Sequence, residues 1–163
     1  MRLPARRARA TYACDLHLRR IEYDPRLPLC EAIDFGQHNP CVVWAQFTPY
    51  GQFLVLGGVQ GKDLFLKEEF IPAIQQHRSA WFPNIREIQT CCDPAGSHHS
   101  SQGLRENGVT VLQDAGFAVR YKDNSNAADV RLAMIERIAG YMRRRTAGGE
   151  AFGVNNDPGK WLL

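Results

Sequence analysis

The sequence predicts an α/β domain with a mixed sheet, in which three antiparallel strands precede parallel strands reached by helical crossovers, with helices on both faces. Two observations predict it. Three runs rich in β-forming residues follow one another with only short turns between them, at residues 29–34, 41–47 and 52–59. The apolar residues then change to a helical period, and later β-like runs are separated by segments of that kind.

The remaining elements follow in chain order. Residues 1–27 are expected to be an irregular approach, with prolines at positions 4 and 25, and residues 28–163 to be the domain itself. After the three strands, the predicted elements are a helix over 63–77 where Pro72 can introduce a kink, a strand over 85–92, an interrupted helix over 104–115 stopped by Gly116, a strand over 117–121, a helix from Ser125 or Asn126 to about Arg145, and a short strand within 151–157.

Bulk composition is that of an ordinary globular chain. Of its 163 residues, 44% are hydrophobic and 23% charged, which argues against disordered and fibrous classes. The net charge of +3 is a mild bias. Five cysteines with no CxxC pair favour free thiols in a reducing compartment. No apolar run approaches the ~18 residues that a membrane span needs, so no membrane partner is expected.

Two aspartates end predicted strands. Asp34 closes the first strand and is followed by Phe-Gly, and Asp93 closes the fourth and is followed by Pro-Ala-Gly. If right-handed crossovers bring these strands together, the two carboxylates converge and need a shared cation to offset their repulsion. Oxygen ligands suit Mg²⁺ or Mn²⁺, and a pair of such ions hydrolyses phosphodiesters. An aspartate at a strand end can also be a turn former that bonds backbone amides, and this alternative stays open.

Much of the chain, from about residue 12 to 163, resembles the nuclease domain of phage large terminase subunits. The resemblance is carried by the segment from Tyr12 through His17 and by RIEYDPRLPL, IDFGQHNPCVVWAQF, CCDPAG and GLRENGVTVLQDAGFAVRY. It implies a ribonuclease H-like (RuvC-like) fold in which Asp34 and Asp93 are the catalytic residues and bind two divalent cations, Mg²⁺ or Mn²⁺. The implied reaction is cleavage of double-stranded, concatemeric DNA.

The resemblance also implies partners and a location. They are the terminase ATPase domain, the small terminase subunit and the portal protein, in the cytoplasm of the host cell. No GxxxxGK[ST] motif occurs in the chain, which is therefore expected to be the cutting module without the motor.

The family's third acidic ligand comes from a helix after the last strand. It is expected beyond Leu163, so the domain is expected to lack its last helix and to bind metal weakly. Glu68, Glu69 and Asp157 are weaker candidates for the third ligand.

The predicted DNA contacts are Arg120, Lys122, Arg131 and His98, which would bind phosphates without sequence preference. Two alternatives stay open: a Holliday-junction resolvase or other nuclease of the same fold, and a non-catalytic module that holds DNA or docks to the motor. A zinc site around Cys91 and Cys92 is disfavoured, because adjacent residues of a strand point to opposite faces.

Overall fold

One mixed sheet organises the protein. The computed structural model describes residues 13–36, 38–92, 107–120 and 128–162. Its strands are β1 Leu18–Arg19, β2 Leu29–Asp34, β3 Cys41–Phe47, β4 Phe53–Gln60, β5 Ile88–Cys92, β6 Val119–Arg120, β7 Arg145–Thr146, β8 Gly149–Glu150, β9 Phe152–Asn155 and β10 Trp161–Leu162. Its helices are α1 Cys14–His17, α2 Ile71–Trp81, α3 Gly108–Asp114 and α4 Ala128–Arg143, with a π-helical turn at Leu66–Phe70 and a 3₁₀ turn at Pro158–Lys160.

The order of strands in the sheet confirms the predicted mixed arrangement. The main sheet runs β1-β9-β4-β3-β2-β5-β6, with β10 pairing β4, and β7 and β8 form a separate hairpin. Strands β2, β3 and β4 are antiparallel neighbours. Strand β5 lies parallel to β2, and β6 lies parallel to β5. The crossover from β4 through α2 therefore places β5 directly beside β2.

The hydrophobic core lies between one sheet face and the helices that cover it. In β2 the buried residues alternate, so that Leu29 and Ile33 face inward, as the period of two in a half-buried strand requires. Burying each large apolar side chain stabilises the fold by about 1.5–3 kcal/mol. The core consists mainly of Leu29, Ile33, Val42, Trp44, Leu56, Phe70, Ile71, Ile74, Phe82, Val111, Leu112 and Phe117.

Helix α4 approaches the opposite face of the sheet. The ring of Tyr141 lies 6.0 Å from that of Phe47 and 5.8 Å from that of Phe53. Phe47 is three positions after Trp44 in β3, so the two side chains point to opposite faces. The prediction of helices on both faces is therefore confirmed.

Two helices begin at positions that differ from the prediction. The segment predicted as one helix over 63–77 is divided into the π-helical turn Leu66–Phe70 and α2, and Pro72 lies in the first turn of α2, where proline is tolerated. A kink at Pro72 stays a prediction. Gly108 is the first residue of α3, and Asn107 caps it by accepting a hydrogen bond from the N–H of Thr110 at 2.8 Å. Gly116 has a φ of +85°, as expected for a glycine that stops a helix.

Part of the segment that was expected to be irregular belongs to the sheet. Within residues 13–27, α1 leads into β1, which pairs in parallel with β9 through Leu18 opposite Val154. His17 is buried, and its Nε2 lies 2.9 Å from the carbonyl oxygen of Met142. The boundary at residue 27 stays a prediction. Among the residues that the structure describes, no helix is long and apolar enough to cross a membrane.

Candidate functional site

The candidate site lies at the carboxyl ends of β2 and β5. The two strands are parallel and pair from Leu29 opposite Ile88 to Ile33 opposite Cys92. The adjacency that the sequence predicted is therefore confirmed. Asp34 is the last residue of β2, whereas Asp93 follows β5 and lies outside the described residues. The convergence of the two carboxylates stays a prediction.

Asp34 is an exposed carboxylate with free coordination capacity. Its Oδ1 accepts one hydrogen bond from the N–H of Gly36 at 3.2 Å, the local contact of a turn former. That bond uses one of about four lone-pair positions of a carboxylate. The turn-former interpretation and the metal-ligand interpretation are therefore compatible at this residue.

Cys41 is the cross-strand neighbour of Asp34. The two residues stand directly opposite in the antiparallel pairing of β2 with β3, so their side chains share the face away from α2. Burial raises the pKa of the Cys41 thiol, and the Asp34 carboxylate adds to this, while a hydrogen bond to the Asp34 backbone opposes it. The thiol therefore stays protonated at neutral pH.

Close packing fixes the chain just after Asp34. A Cβ placed on Gly108 would lie 2.8 Å from Cε1 of the Phe35 ring, a distance that real Cβ contacts do not show. Glycine at the start of α3 therefore lets the helix approach Phe35, which is itself packed against the core. Phe35, the residue after Asp34, is therefore packed on the inner face of the sheet, whereas Asp34 points to the outer face.

A second carboxylate of β2, Glu31, was missed as a functional candidate. It is 0% exposed and accepts hydrogen bonds from Trp44 Nε1 at 2.8 Å and Thr90 Oγ1 at 3.0 Å. Nη1 of Arg78 on α2 lies 3.2 Å from its Oε1 and forms an ion pair with it. Glu31 thus ties β2 to β3, β5 and α2. Its position, two residues from both Leu29 and Ile33, was the signal that it faces inward.

Two loops meet at the same edge of the sheet. The loop after β2 and the loop after β4 are joined where His38 Nδ1 lies 3.0 Å from Asp63 Oδ1. The N–H of Asp63 donates to the His38 carbonyl at 2.7 Å, and the N–H of Gly61 donates to the Pro40 carbonyl at 2.7 Å. Asp63 has a φ of +52°, which glycine, asparagine and aspartate adopt more readily than most residues. This pair was not among the residues that the sequence singled out.

Two of the three weaker ligand candidates, Glu69 and Asp157, make local hydrogen bonds in the structure. Glu68 and Glu69 are exposed in the π-helical turn, where Glu69 Oε2 accepts from the N–H of Phe65 at 2.8 Å. Asp157 accepts from the N–H of Gly159 at 3.0 Å and lies 3.9 Å from Arg20. Their candidacy as a third ligand stays a prediction.

Of the predicted DNA contacts, only Arg120 has a described side chain. It is exposed on β6, opposite Cys91 of β5. His98 and Lys122 lie outside the described residues, and so does the side chain of Arg131 in α4. Phosphate contact by these four residues stays a prediction.

Comparisons with known proteins bear on the fold. No protein-family model matches the sequence, and no curated protein matches it either. Among solved structures, the chain aligns with the ADP-bound large terminase of a thermophilic bacteriophage, with a TM-score of 0.66 and 12% identity, covering 91% of this chain and 33% of that one. The large terminase nuclease of thermophilic phage G20c aligns with a TM-score of 0.59 and 15% identity, covering 87% of this chain and 71% of that one.

The chain has the fold of a terminase nuclease. The ribonuclease H-like architecture expected from the sequence is thereby confirmed. The chain spans about a third of the length of the full large terminases that it matches. At 11–15% identity, the likeness to these structures concerns the fold alone.

The described part of the site fits a hard cation in its chemistry and remains incomplete in its ligands. Asp34 supplies exposed carboxylate oxygens, the donors that Mg²⁺ and Mn²⁺ prefer. Within residues 13–36, 38–92, 107–120 and 128–162, no group of three or more His, Cys, Asp or Glu side chains is arranged to hold a metal ion. A metal site formed by Asp34 with Asp93 stays a prediction.

Proposed function

We propose that this chain is the nuclease domain of a viral DNA-packaging large terminase and cleaves double-stranded, concatemeric DNA in a reaction that depends on divalent metal. One observation carries the proposal: β2 and β5 lie side by side in a terminase-nuclease fold, and the sequence places an aspartate at the end of each. Continuing the pairing by one residue beyond Ile33 and Cys92 would bring Asp34 and Asp93 to the same position along the sheet.

In the proposed reaction, Asp34 and Asp93 would hold two Mg²⁺ or Mn²⁺ ions at the scissile region of DNA. When bound, the ions would activate a water molecule and stabilise the departing oxygen. Asp34 presents its oxygens outward, and the hydrogen bond from the N–H of Gly36 orients its carboxylate. The close packing of Phe35 against Gly108 would limit movement of the chain next to Asp34.

The surroundings of Asp34 suit an extended anionic substrate. The face of the sheet that carries Asp34 also carries the exposed side chain of Arg120, two strands away on β6. An arginine two strands from Asp34 would bind a backbone phosphate without reading the base sequence. The proposed partners beyond DNA are the terminase ATPase domain, the small terminase subunit and the portal protein, and the proposed location is the host cytoplasm.

A nicking assay tests the proposal. Supercoiled plasmid is incubated with the protein and Mn²⁺, and nicked and linear products are measured. Since metal ligation supplies several kcal/mol of transition-state stabilisation, Asp34→Asn and Asp93→Asn should each lower the rate at least about a hundredfold. Asp114→Asn, which changes an exposed aspartate at the far end of α3, is the matched control and should cut like the original chain.

Two other outcomes would replace the proposal. DNA binding without cutting in the original chain would support the non-catalytic module that holds DNA or docks to the motor. Cutting confined to four-way junctions, with linear duplex left intact, would support a junction resolvase of the same fold.

A further inference from the structure

The paired loops at the candidate edge hold a histidine in a fixed orientation. His38 and Asp63 are linked by their side chains at 3.0 Å and by a backbone hydrogen bond of 2.7 Å from the N–H of Asp63 to the His38 carbonyl. A second backbone bond, from Gly61 to Pro40, lies beside them. Both side chains are nevertheless open to solvent, with 76% of His38 and 63% of Asp63 exposed. The contact therefore orients the imidazole without covering it.

Chain length limits how far His38 lies from Asp34. Cys41 stands directly opposite Asp34, and His38 precedes Cys41 by three residues. Three residues span at most about 11 Å, so the Cα of His38 lies within that distance of the Cα of Cys41. Successive phosphates of one DNA strand advance about 3.4 Å along the helix axis. The paired Cα atoms of Cys41 and Asp34 are about 5 Å apart, so a strand held at Asp34 would bring a phosphate to His38 within about five nucleotides.

The chemistry of the pair suits a phosphate oxygen. The Asp63 carboxylate only accepts hydrogen bonds, so Nδ1 of His38 must carry the proton that they share. That arrangement leaves Nε2 as the ring atom available to a ligand. In the imidazolium form, Nε2–H donates, and phosphate oxygens are strong acceptors of such charge-assisted bonds. The exposed Lys62, next to Asp63 in the chain, adds a second positive charge.

We propose that the imidazolium form of His38, oriented by Asp63, donates a hydrogen bond from Nε2 to a backbone phosphate of DNA close to the strand bound at Asp34. This inference rests on the proposed function, because it names a further contact with the same substrate. The inference also gives Asp63 a role. Its carboxylate alone would repel DNA, and it contributes to binding by orienting the His38 ring.

The test is a binding measurement in Ca²⁺, which takes carboxylate and phosphate oxygens as Mg²⁺ does and so can hold DNA at Asp34, on a duplex checked by gel to remain uncut. Fluorescence anisotropy of a labelled duplex gives the affinity over a series of salt concentrations. His38→Ala should weaken binding about tenfold, as expected for one charge-assisted hydrogen bond. It should also make the slope of log affinity against log salt shallower by about 0.9, the value for one phosphate contact.

Two substitutions at Asp63 separate orientation from simple charge. Asp63→Gly tolerates the left-handed backbone and removes a negative charge, so bulk electrostatics alone would strengthen DNA binding. Under the proposal it weakens binding, because the ring loses its partner. Asp63→Asn keeps an acceptor oxygen, suits the same backbone, and should remain closer to the original chain than Asp63→Gly.

A matched control is available at the opposite end of β2. Arg26 precedes this strand and forms an exposed ion pair with Asp24 at 2.7 Å. Arg26→Ala removes a full positive charge at the end of the strand away from Asp34 and should leave the affinity and the salt slope unchanged.

The outcomes are distinct. If the original chain binds and nicks DNA while His38→Ala keeps the same affinity and slope, or Asp63→Gly binds more tightly, the inference is overturned and the proposed nuclease stands. If the original chain neither binds nor cuts DNA, the proposed function fails and this inference fails with it. Thermal unfolding followed by circular dichroism checks that each variant is folded before its affinity is compared.

Discussion

Strand β2 carries two carboxylates in contrasting settings, three residues apart. Glu31 is fully buried and satisfied by Trp44, Thr90 and Arg78. Asp34 is exposed and accepts one local bond from Gly36. The oxygens of Glu31 are occupied by contacts within the protein, whereas Asp34 has lone pairs free for a ligand. Within one strand, the alternation of faces therefore separates a structural acid from a candidate catalytic one.

The largest expected effect on stability comes from breaking the buried cluster. Glu31→Ala leaves the half-buried Arg78 without its counter-ion and the Trp44 N–H without an acceptor. Since removing one partner of a buried ion pair is strongly destabilising, the free energy of unfolding should fall by about 3–5 kcal/mol. Urea denaturation measures it.

A double substitution shows whether the charge itself is the cause. Glu31→Leu combined with Arg78→Met replaces both ions by apolar groups and should recover the part of the stability that is lost to the unpaired Arg78 charge, while Trp44 and Thr90 still lack their acceptor. A loss below about 1 kcal/mol in Glu31→Ala would mean that water reaches this cluster and that the contrast with Asp34 is smaller than the structure indicates.

A smaller effect is expected at the contact that supports Asp34. Gly108→Ala places a Cβ 2.8 Å from the Phe35 ring, so Phe35 must move. Overpacking of this kind typically costs about 1–3 kcal/mol, and the lower end applies here because alanine favours the helix.

The nicking rate of Gly108→Ala should fall by more than its loss of stability explains, since Asp34 precedes Phe35 in the chain. Assays well below the melting temperature, with Gly140→Ala in α4 as the matched control, separate the two effects. A Cβ added at Gly140 meets no atom within 4 Å, so its substitution creates no clash. Equal nicking rates in both variants would show that Phe35 does not position Asp34.

The smallest effect on stability is expected at Asp34 itself. Asp34→Asn keeps an oxygen that can accept from the Gly36 N–H, and the side chain is exposed, so the free energy of unfolding should change by less than about 0.5 kcal/mol. Urea denaturation beside Glu31→Ala gives the direct contrast. A loss as large as that of Glu31→Ala would assign Asp34 to the structure of the protein and count against its role as a ligand.

The central strands could be predicted from sequence because local signals specify them. The bounds of β2 and β3 agree with the prediction, since turn residues flank runs of β-forming and apolar residues. Strands β1, β6 and β10 contain two residues each, and their pairing depends on partners distant in sequence. Two residues are too few to show a periodic pattern, so most of these short strands could not be located from the sequence.

Fewer residues of the candidate site could be identified from the sequence than from the contacts in the structure. Asp34 could be identified because it ends a strand, and the adjacency of β5 was one of the arrangements that right-handed crossovers allow. The pairing of His38 with Asp63 joins loops 25 residues apart, and the partners of Glu31 come from three other elements. Such contacts depend on the packed fold, although the inward face of Glu31 could have been read from its alternation with Leu29 and Ile33.

The parallel pairing of β2 with β5 has a consequence for biosynthesis. Thr90 reaches Glu31 across 59 residues of chain, so this pair can form only after the hairpins and α2 have been synthesised. Closing such a long loop is slower than forming a hairpin. A partly synthesised chain that ends before β5 contains Asp34 but lacks the neighbouring strand of the candidate site. Any activity that needs both strand ends is therefore delayed until most of the polypeptide has emerged and folded.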